Sequence, residues 1–223
     1  MTGAPPGGEA ENNESGLLGL PPQAFRRMDE GADTAFYLPP RLVTHIDQGA
    51  IAAVTALYTR ILAPGAEVLD LMTSWVSHLP EGVKLGRVAG LGMNAVELDA
   101  NPRLDERRIA DLNADPALPW ADASFDAVLV CVSVQYLTRP VSVLGEVARV
   151  LRPGGVVAIT FSNRCFPTKA VMIWQVAGSG SDRARYVGHC LKAAGLGDVA
   201  AEALVPEGGP GDPLWAVTAR RPG

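Results

Sequence analysis

The sequence holds only three cysteines, Cys131, Cys165 and Cys190, widely spaced and with no Cys-x-x-Cys pair. That set excludes a disulfide framework and fits reduced thiols in a cytoplasmic protein. His45, His78 and His189 are the only histidines, and no two stand at helical ligand spacing. No metal site is therefore expected. Charged residues make up 19% of the chain, and the net charge of -5 is spread along it without blocks. A phosphate-backbone reader would need a basic stripe with interleaved aromatics, so a nucleic-acid partner is not expected. No apolar run reaches the roughly 18 residues of a membrane span, and no charged segment followed by an apolar run marks the N-terminus. The reading is a protein with no membrane partner and a small-molecule substrate, its oligomeric state open.

What is present is alternation. Residues 1–22 are rich in Gly, Pro, Glu and Asn and read as a disordered tail, because they offer little apolar surface to offset ordering entropy. Residues 23–66 read as a lid and helix. In that helix Ile51, Val54, Leu57, Tyr58 and Ile61 recur at three- and four-residue steps after a cap at Thr44 or Asp47. From 67 to 223 strands and helices alternate. Strands are expected at Glu67–Leu71, Gly86–Leu91, Arg108–Leu112, Phe125–Val132 and Val156–Phe161, with closing strands near Val199–Leu204 and Leu214–Ala219. Between them stand a helical turn at Ser74–Leu79 and helices at Asn94–Ala100, Val141–Leu151, Lys169–Val176 and Ala184–Ala194. Ala127 to Val132 is continuously apolar, as in a central parallel strand covered on both faces. The fold class is α/β, a doubly wound, Rossmann-like sheet of seven mostly parallel strands. Ligands of such sheets sit beyond the carboxyl ends of the strands, so residues just after Leu71, Leu91, Leu112 and Val132 should line one site.

Three segments together carry a family likeness: Val68-Leu69-Asp70-Leu71, then Leu118-Pro119-Trp120 through Ser124-Phe125-Asp126, then Leu151-Arg152-Pro153-Gly154-Gly155. They resemble class I S-adenosylmethionine-dependent methyltransferases, in the small-molecule type 11 branch. The resemblance spans about residues 50–161 and implies the class I methyltransferase fold with S-adenosyl-L-methionine as cofactor. It also exposes two departures. The family's turn after the first strand is glycine-rich, where this chain has Met72, Thr73, Ser74 and Trp75; an acid ends the family's second strand, where this chain has Gly92.

On that likeness the cofactor-binding candidates are Arg41, Asp70, Met72, Ser74, Trp75, Asn94, Asp111, Leu112, Asn113 and Ser133. Arg41 would pair with the methionine carboxylate, Asn94 would meet a ribose hydroxyl, and Asp111 to Asn113 would meet the adenine. Tyr37, His78 and Tyr136 are the catalytic candidates, as bases. Several have plainer readings. Asp70 can simply hold the strand–loop junction; Phe36 and Tyr37 can staple the next helix; His45 can face solvent or cap a helix; Cys131 can be a small buried hydrophobe. The expected function is methyl transfer to a small molecule. The alternatives are a cyclase or lyase releasing methylthioadenosine and a small cyclic amino acid of the aminocyclopropane or azetidine carboxylate type, or a non-catalytic protein on the same fold.

Overall fold

The computed structural model describes residues 14–223. Seven strands form one sheet in the order β3-β2-β1-β4-β5-β7-β6. They are β1 (Val68–Leu71), β2 (Val88–Gly92), β3 (Glu106–Ile109), β4 (Phe125–Cys131), β5 (Leu151–Ser162), β6 (Gly197–Val205) and β7 (Leu214–Arg220). The first five run parallel, with Asp70 of β1 in register with Gly90 of β2 and Leu129 of β4. β7 returns antiparallel against β5, and β6 antiparallel against β7. Parallel strands need crossovers, and helices supply them. The helices are α1 (Glu14–Leu18), α2 (Asp33–Phe36), α3 (Gln48–Ile61), α4 (Ala95–Ala100), α5 (Pro140–Val150), α6 (Met172–Val176) and α7 (Gly180–Ala193).

The two-residue period of a strand divides the core between the two faces. Leu69, Leu71, Val128, Val130, Val157 and Ile159 pack with Val143, Leu144 and Val147 of α5 and with Val187 and Leu191 of α7. On the other face Val68, Ala127, Leu129 and Ala158 pack with Val54, Leu57 and Tyr58 of α3 and with Leu98 of α4. Asp70, by the same alternation, lies on the α3 face. α3 begins where Asp47 accepts from the Ala50 amide, so Asp47, not Thr44, is the cap.

The structure differs from the sequence-based expectation in several places, among them β5, which starts at Leu151, and α7, which starts at Gly180; four others bear on the site or its surroundings. The unstructured tail was expected to reach residue 22. Residues 1–13 lie outside the described residues, but 14–25 are folded. The Glu14 carboxylate accepts from the Val141 and Ser142 amides at 2.6 and 3.0 Å, an anion on the first turn of α5. Ser74–Leu79 is irregular, because Asn101 donates to the Ser74 carbonyl and the Ser77 hydroxyl at 2.9 Å each and so holds the segment open. The third strand ends at Ile109, which places Asp111 to Asn113 wholly in the following loop. Finally, α6 starts only at Met172, because Lys169 is turned into the interior, where its ammonium meets the Gly31 carbonyl at 2.7 Å.

Candidate functional site

The loops after β1 to β5 and the segment 33–47 enclose one cavity of about 810 Å³ at the carboxyl edge of the sheet. That volume lies within the roughly 300–1,000 Å³ of sites that bury a small molecule. The structure brings all thirteen sequence-derived candidates to its wall. Asp70, Met72, Ser74, Trp75 and His78 come from β1 and its loop, and Asn94 follows β2. Asp111, Leu112 and Asn113 follow β3, Ser133 and Tyr136 follow β4, and Tyr37 and Arg41 come from the overlying segment.

The β1 loop is built without glycine. Met72 stands at φ 57°, the left-handed region in which a side chain costs roughly 1–2 kcal/mol. Thr73 then crosses toward β2, its amide donating to the Leu91 carbonyl at 2.9 Å and its hydroxyl to Asp70 at 2.6 Å. The crossing leaves no room beside it: a Cβ on Gly92 would collide with the Thr73 carbonyl oxygen. The β1 loop in this conformation therefore requires glycine at the end of β2. Two departures that look independent in the sequence are one packing solution.

Burial pushes the Asp70 carboxyl up to about 6, against the opposing hydrogen bonds from Ser77 and Thr73. A carboxyl with a raised folded pKa stabilises the fold fully below its ordinary value of 3.8, and that contribution disappears as pH rises toward 6. The shift corresponds to about 3 kcal/mol at roughly 1.36 kcal/mol per unit. Chemical denaturation of wild type and Asp70→Asn at pH 4 and pH 7 should therefore show the variant gaining on wild type by about that amount between the two. A pH-independent difference would refute this account of Asp70.

Three of the candidates are largely occupied by protein contacts. The Asn94 amide donates to the Tyr37 and Leu38 carbonyls at 2.9 Å each, and its oxygen caps α4 by accepting from the Glu97 amide. Both of its N–H donors are thereby committed. Asn113 donates to Asp33 and the Tyr136 carbonyl and accepts from Thr138, so its side chain braces loops, while Asp111 accepts the Asn113 amide. Arg41 donates to the Phe36 carbonyl at 2.9 Å and stacks over the Phe36 and Phe166 rings at 4.7 and 5.3 Å. A longer hydrogen bond of 3.4 Å goes to the Pro39 carbonyl, and the side chain, held by aromatic faces, lines the cavity.

The titratable groups divide clearly. Burial raises both phenols: Tyr136 is pushed up to about 12, its hydroxyl accepting from the Phe166 amide, and Tyr37 lies higher still. A phenol that ionises less readily is a donor or a wall, not a base. Burial lowers the His78 and His45 imidazoles below their ordinary value, so both are neutral near pH 7. His45 sits at the cavity mouth, edge-on to Phe166 at 5.4 Å. Cys131 lines the cavity with a thiol pushed up to about 12 by burial, and it stays protonated. Ser133 is 8% exposed, faces the cavity, and its hydroxyl has no hydrogen-bond partner within the protein. Trp75 donates its indole N–H to the Val43 carbonyl at 3.0 Å, tying the β1 loop to the overlying segment.

Sequence reasoning missed Glu97, Asp33 and Phe166. Glu97 follows Asn94 by three residues, which reads as an ordinary capping pair. Its carboxylate instead accepts from the Ser74 hydroxyl and the Arg41 amide, each at 2.6 Å. Asp33 and Phe166 carry no local signal, since the partners that give them meaning are far away in the chain.

Residues 75–159 match the type 11 family described as a methyltransferase domain. The match starts at Trp75, the last residue of the altered β1 loop, and ends within β5. A demethylmenaquinone methyltransferase of Renibacterium salmoninarum is 32% identical over 111 residues, 46% of this chain and 44% of that protein. The chain spans about half the length of the curated relatives it matches. Among solved structures, the [4+2]-cyclase SpnF superposes with a TM-score of 0.60 at 17% identity, covering 85% of this chain and 91% of that one. A Haemonchus contortus phosphoethanolamine N-methyltransferase in complex with S-adenosyl-L-methionine gives 0.56 at 14%, covering 77% and 52%. The chain has the class I methyltransferase fold, and its residues 75–159 are similar to the type 11 methyltransferase domain.

Proposed function

We propose that this methyltransferase-fold chain binds S-adenosylmethionine in the cavity at the sheet's carboxyl edge and transfers its methyl group to a small molecule. The observation that carries the reading is the convergence of five strand-end loops on one cavity of about 810 Å³ whose wall holds a buried, unpartnered Ser133 hydroxyl. Buried polar groups without partners are rare, and one aimed into a cavity suits a polar ligand. The cofactor supplies an electrophilic sulfonium methyl. Asp111 and the Leu112 backbone would hold the adenine, with Asn113 bracing the loop, and Arg41, aligned by its aromatic stack, would hold the methionine carboxylate. Tyr136, Phe166 and Tyr37 form the aromatic wall and exclude water.

Methyl transfer depends mostly on alignment, with proton removal from the acceptor where the acceptor requires it. His78 is assigned as that base, because its imidazole is neutral and half-buried in the β1 loop, whereas His45 is exposed and both phenols are harder to ionise than usual. His78→Gln should lower kcat by about 10²–10⁴-fold. The wild-type rate should fall only below the ordinary imidazole range, as the lowered pKa requires, and that acid limb should vanish in the variant. An unchanged rate and pH profile would remove His78 from the mechanism.

The test of the activity is incubation with methyl-labelled S-adenosylmethionine and a panel of small acceptors. The name of the Renibacterium relative makes demethylmenaquinone the first acceptor to try. Label in the acceptor with S-adenosylhomocysteine as co-product supports the reading. Methylthioadenosine formed from the cofactor alone would instead assign the cyclase or lyase reaction. Absence of saturable binding of either adenosyl compound would assign the non-catalytic role.

A further inference from the structure

Gly92 leaves the end of β2 without any side chain, and the collision with the Thr73 carbonyl means that no side chain can be introduced there without moving the β1 loop. In open α/β sheets an acid near the end of the second strand hydrogen-bonds the ribose hydroxyls of an adenosyl ligand. This half of the cavity therefore needs another acceptor. Asn94 has both N–H groups and one oxygen lone pair taken by the protein, which leaves a single acceptor position, too few for two vicinal hydroxyls. Asp70 is 2% exposed and held by Thr73 beneath the loop. Asp99 is largely exposed and faces Arg107, and Asp111 belongs to the β3 loop, where it accepts the Asn113 and Ala114 amides.

Glu97 remains. It stands in the first turn of α4, lines the cavity and is half-buried. Its two oxygens each accept a single hydrogen bond at 2.6 Å, one from the Ser74 hydroxyl and one from the Arg41 amide. A carboxylate has about four acceptor positions, so two remain for a ligand. Ser74 donates to Glu97 and keeps its own lone pairs, so the two side chains together present a acceptor pair suited to vicinal hydroxyls.

We propose that Glu97, assisted by Ser74, receives the ribose hydroxyls of the adenosyl cofactor in place of an acid at the end of β2. The inference rests on the cofactor reading above and adds to it the residue that selects for ribose. The altered β1 loop supplies the partner: Ser74 occupies a position at which a glycine could not hold Glu97. Glu97 is thus a specificity residue, and the segment carrying Arg41 is drawn over the cofactor by the same carboxylate.

The experiment is calorimetric titration of the full chain and of Glu97→Gln with S-adenosylhomocysteine and with its 2′-deoxyribose and 3′-deoxyribose analogues. A charge-assisted hydrogen bond to a ligand hydroxyl corresponds to about 10–100-fold in affinity. Wild type should favour S-adenosylhomocysteine over at least one deoxy analogue by that factor, and Glu97→Gln should lose most of the preference. If Glu97 only holds the overlying segment, the variant will weaken all three ligands equally, and the ribose role is overturned. Wild type binding the ribose and both deoxy ligands alike overturns it as well, whatever the variant does. No binding of S-adenosylhomocysteine to wild type would defeat the cofactor reading itself and the ribose role with it.

Discussion

Asp33→Ala is expected to lower the unfolding free energy by about 3–5 kcal/mol, the range for removing one partner of a buried ion pair. Asp33 is 4% exposed and accepts from Arg27 at 2.7 Å, from Asn113 at 2.8 Å and from the Lys169 ammonium at 3.1 Å. Burial opposes its ionisation, yet the hydrogen bonds from Arg27 and Asn113 hold its pKa below the ordinary value. Lys169 is fully buried, with its other contacts at Asp29 and the Gly31 carbonyl. Without the Asp33 carboxylate, Lys169 and Arg27 are left with the more exposed Asp29 and Glu30. The network joins the segment 27–33, the β3 loop and the stretch after β5, so its loss should also free the cavity's cover. Urea denaturation gives the stability change, and amide hydrogen exchange over residues 26–47 should accelerate more than in the sheet. A loss below about 1 kcal/mol, the scale of an exposed pair, would show that the network is not held as described.

Gly92→Asp should harm both stability and binding, although it restores the family's residue. The new Cβ meets the Thr73 carbonyl, part of a backbone fixed by the Thr73 amide on Leu91 and the Thr73 hydroxyl on Asp70. Overpacking of this kind costs about 1–3 kcal/mol, and the added carboxylate would lie beside a carbonyl and near Asp70 without a donor of its own. Binding of S-adenosylhomocysteine should weaken by about 10-fold or more, because the β1 loop must move to relieve the clash. Thermal unfolding and calorimetric titration of the variant are the measurements. Tighter binding with unchanged stability would mean that the β1 loop yields freely and that Gly92 is not its structural counterpart.

The fold was legible because its signals are local. The continuous apolar run at β4, the spaced apolar residues of α3 and the Pro-Gly-Gly after α5 are read within a dozen residues. Strand-end placement then delivered eleven of the thirteen candidate positions to one cavity, since topology alone puts loops after parallel strands on the same edge, and Tyr37 and Arg41 reach it from the overlying segment. The roles of those residues were less legible. Asn94, the expected ribose contact, is committed to Tyr37, Leu38 and the α4 amide, and Tyr37 and Tyr136 are buried into phenols that resist ionisation. Those outcomes depend on partners 40 or more positions away in most cases, such as Asn94 with Tyr37, which no window along the chain contains.

The sequence by itself determined the order of strands and helices, the position of the cavity and the place where the chain departs from its relatives. Hydrophobic period and turn chemistry act over one or two turns, and the chain spells them out directly. Tertiary structure alone decided that Met72-Thr73-Ser74-Trp75 and Gly92 are one feature, that Glu97 faces the cavity, and that a buried Asp33–Lys169–Arg27 cluster fastens its cover. Each of these is a contact between distant segments, fixed by which atoms exclude one another and which buried charges must meet, and such contacts exist only once the sheet has formed.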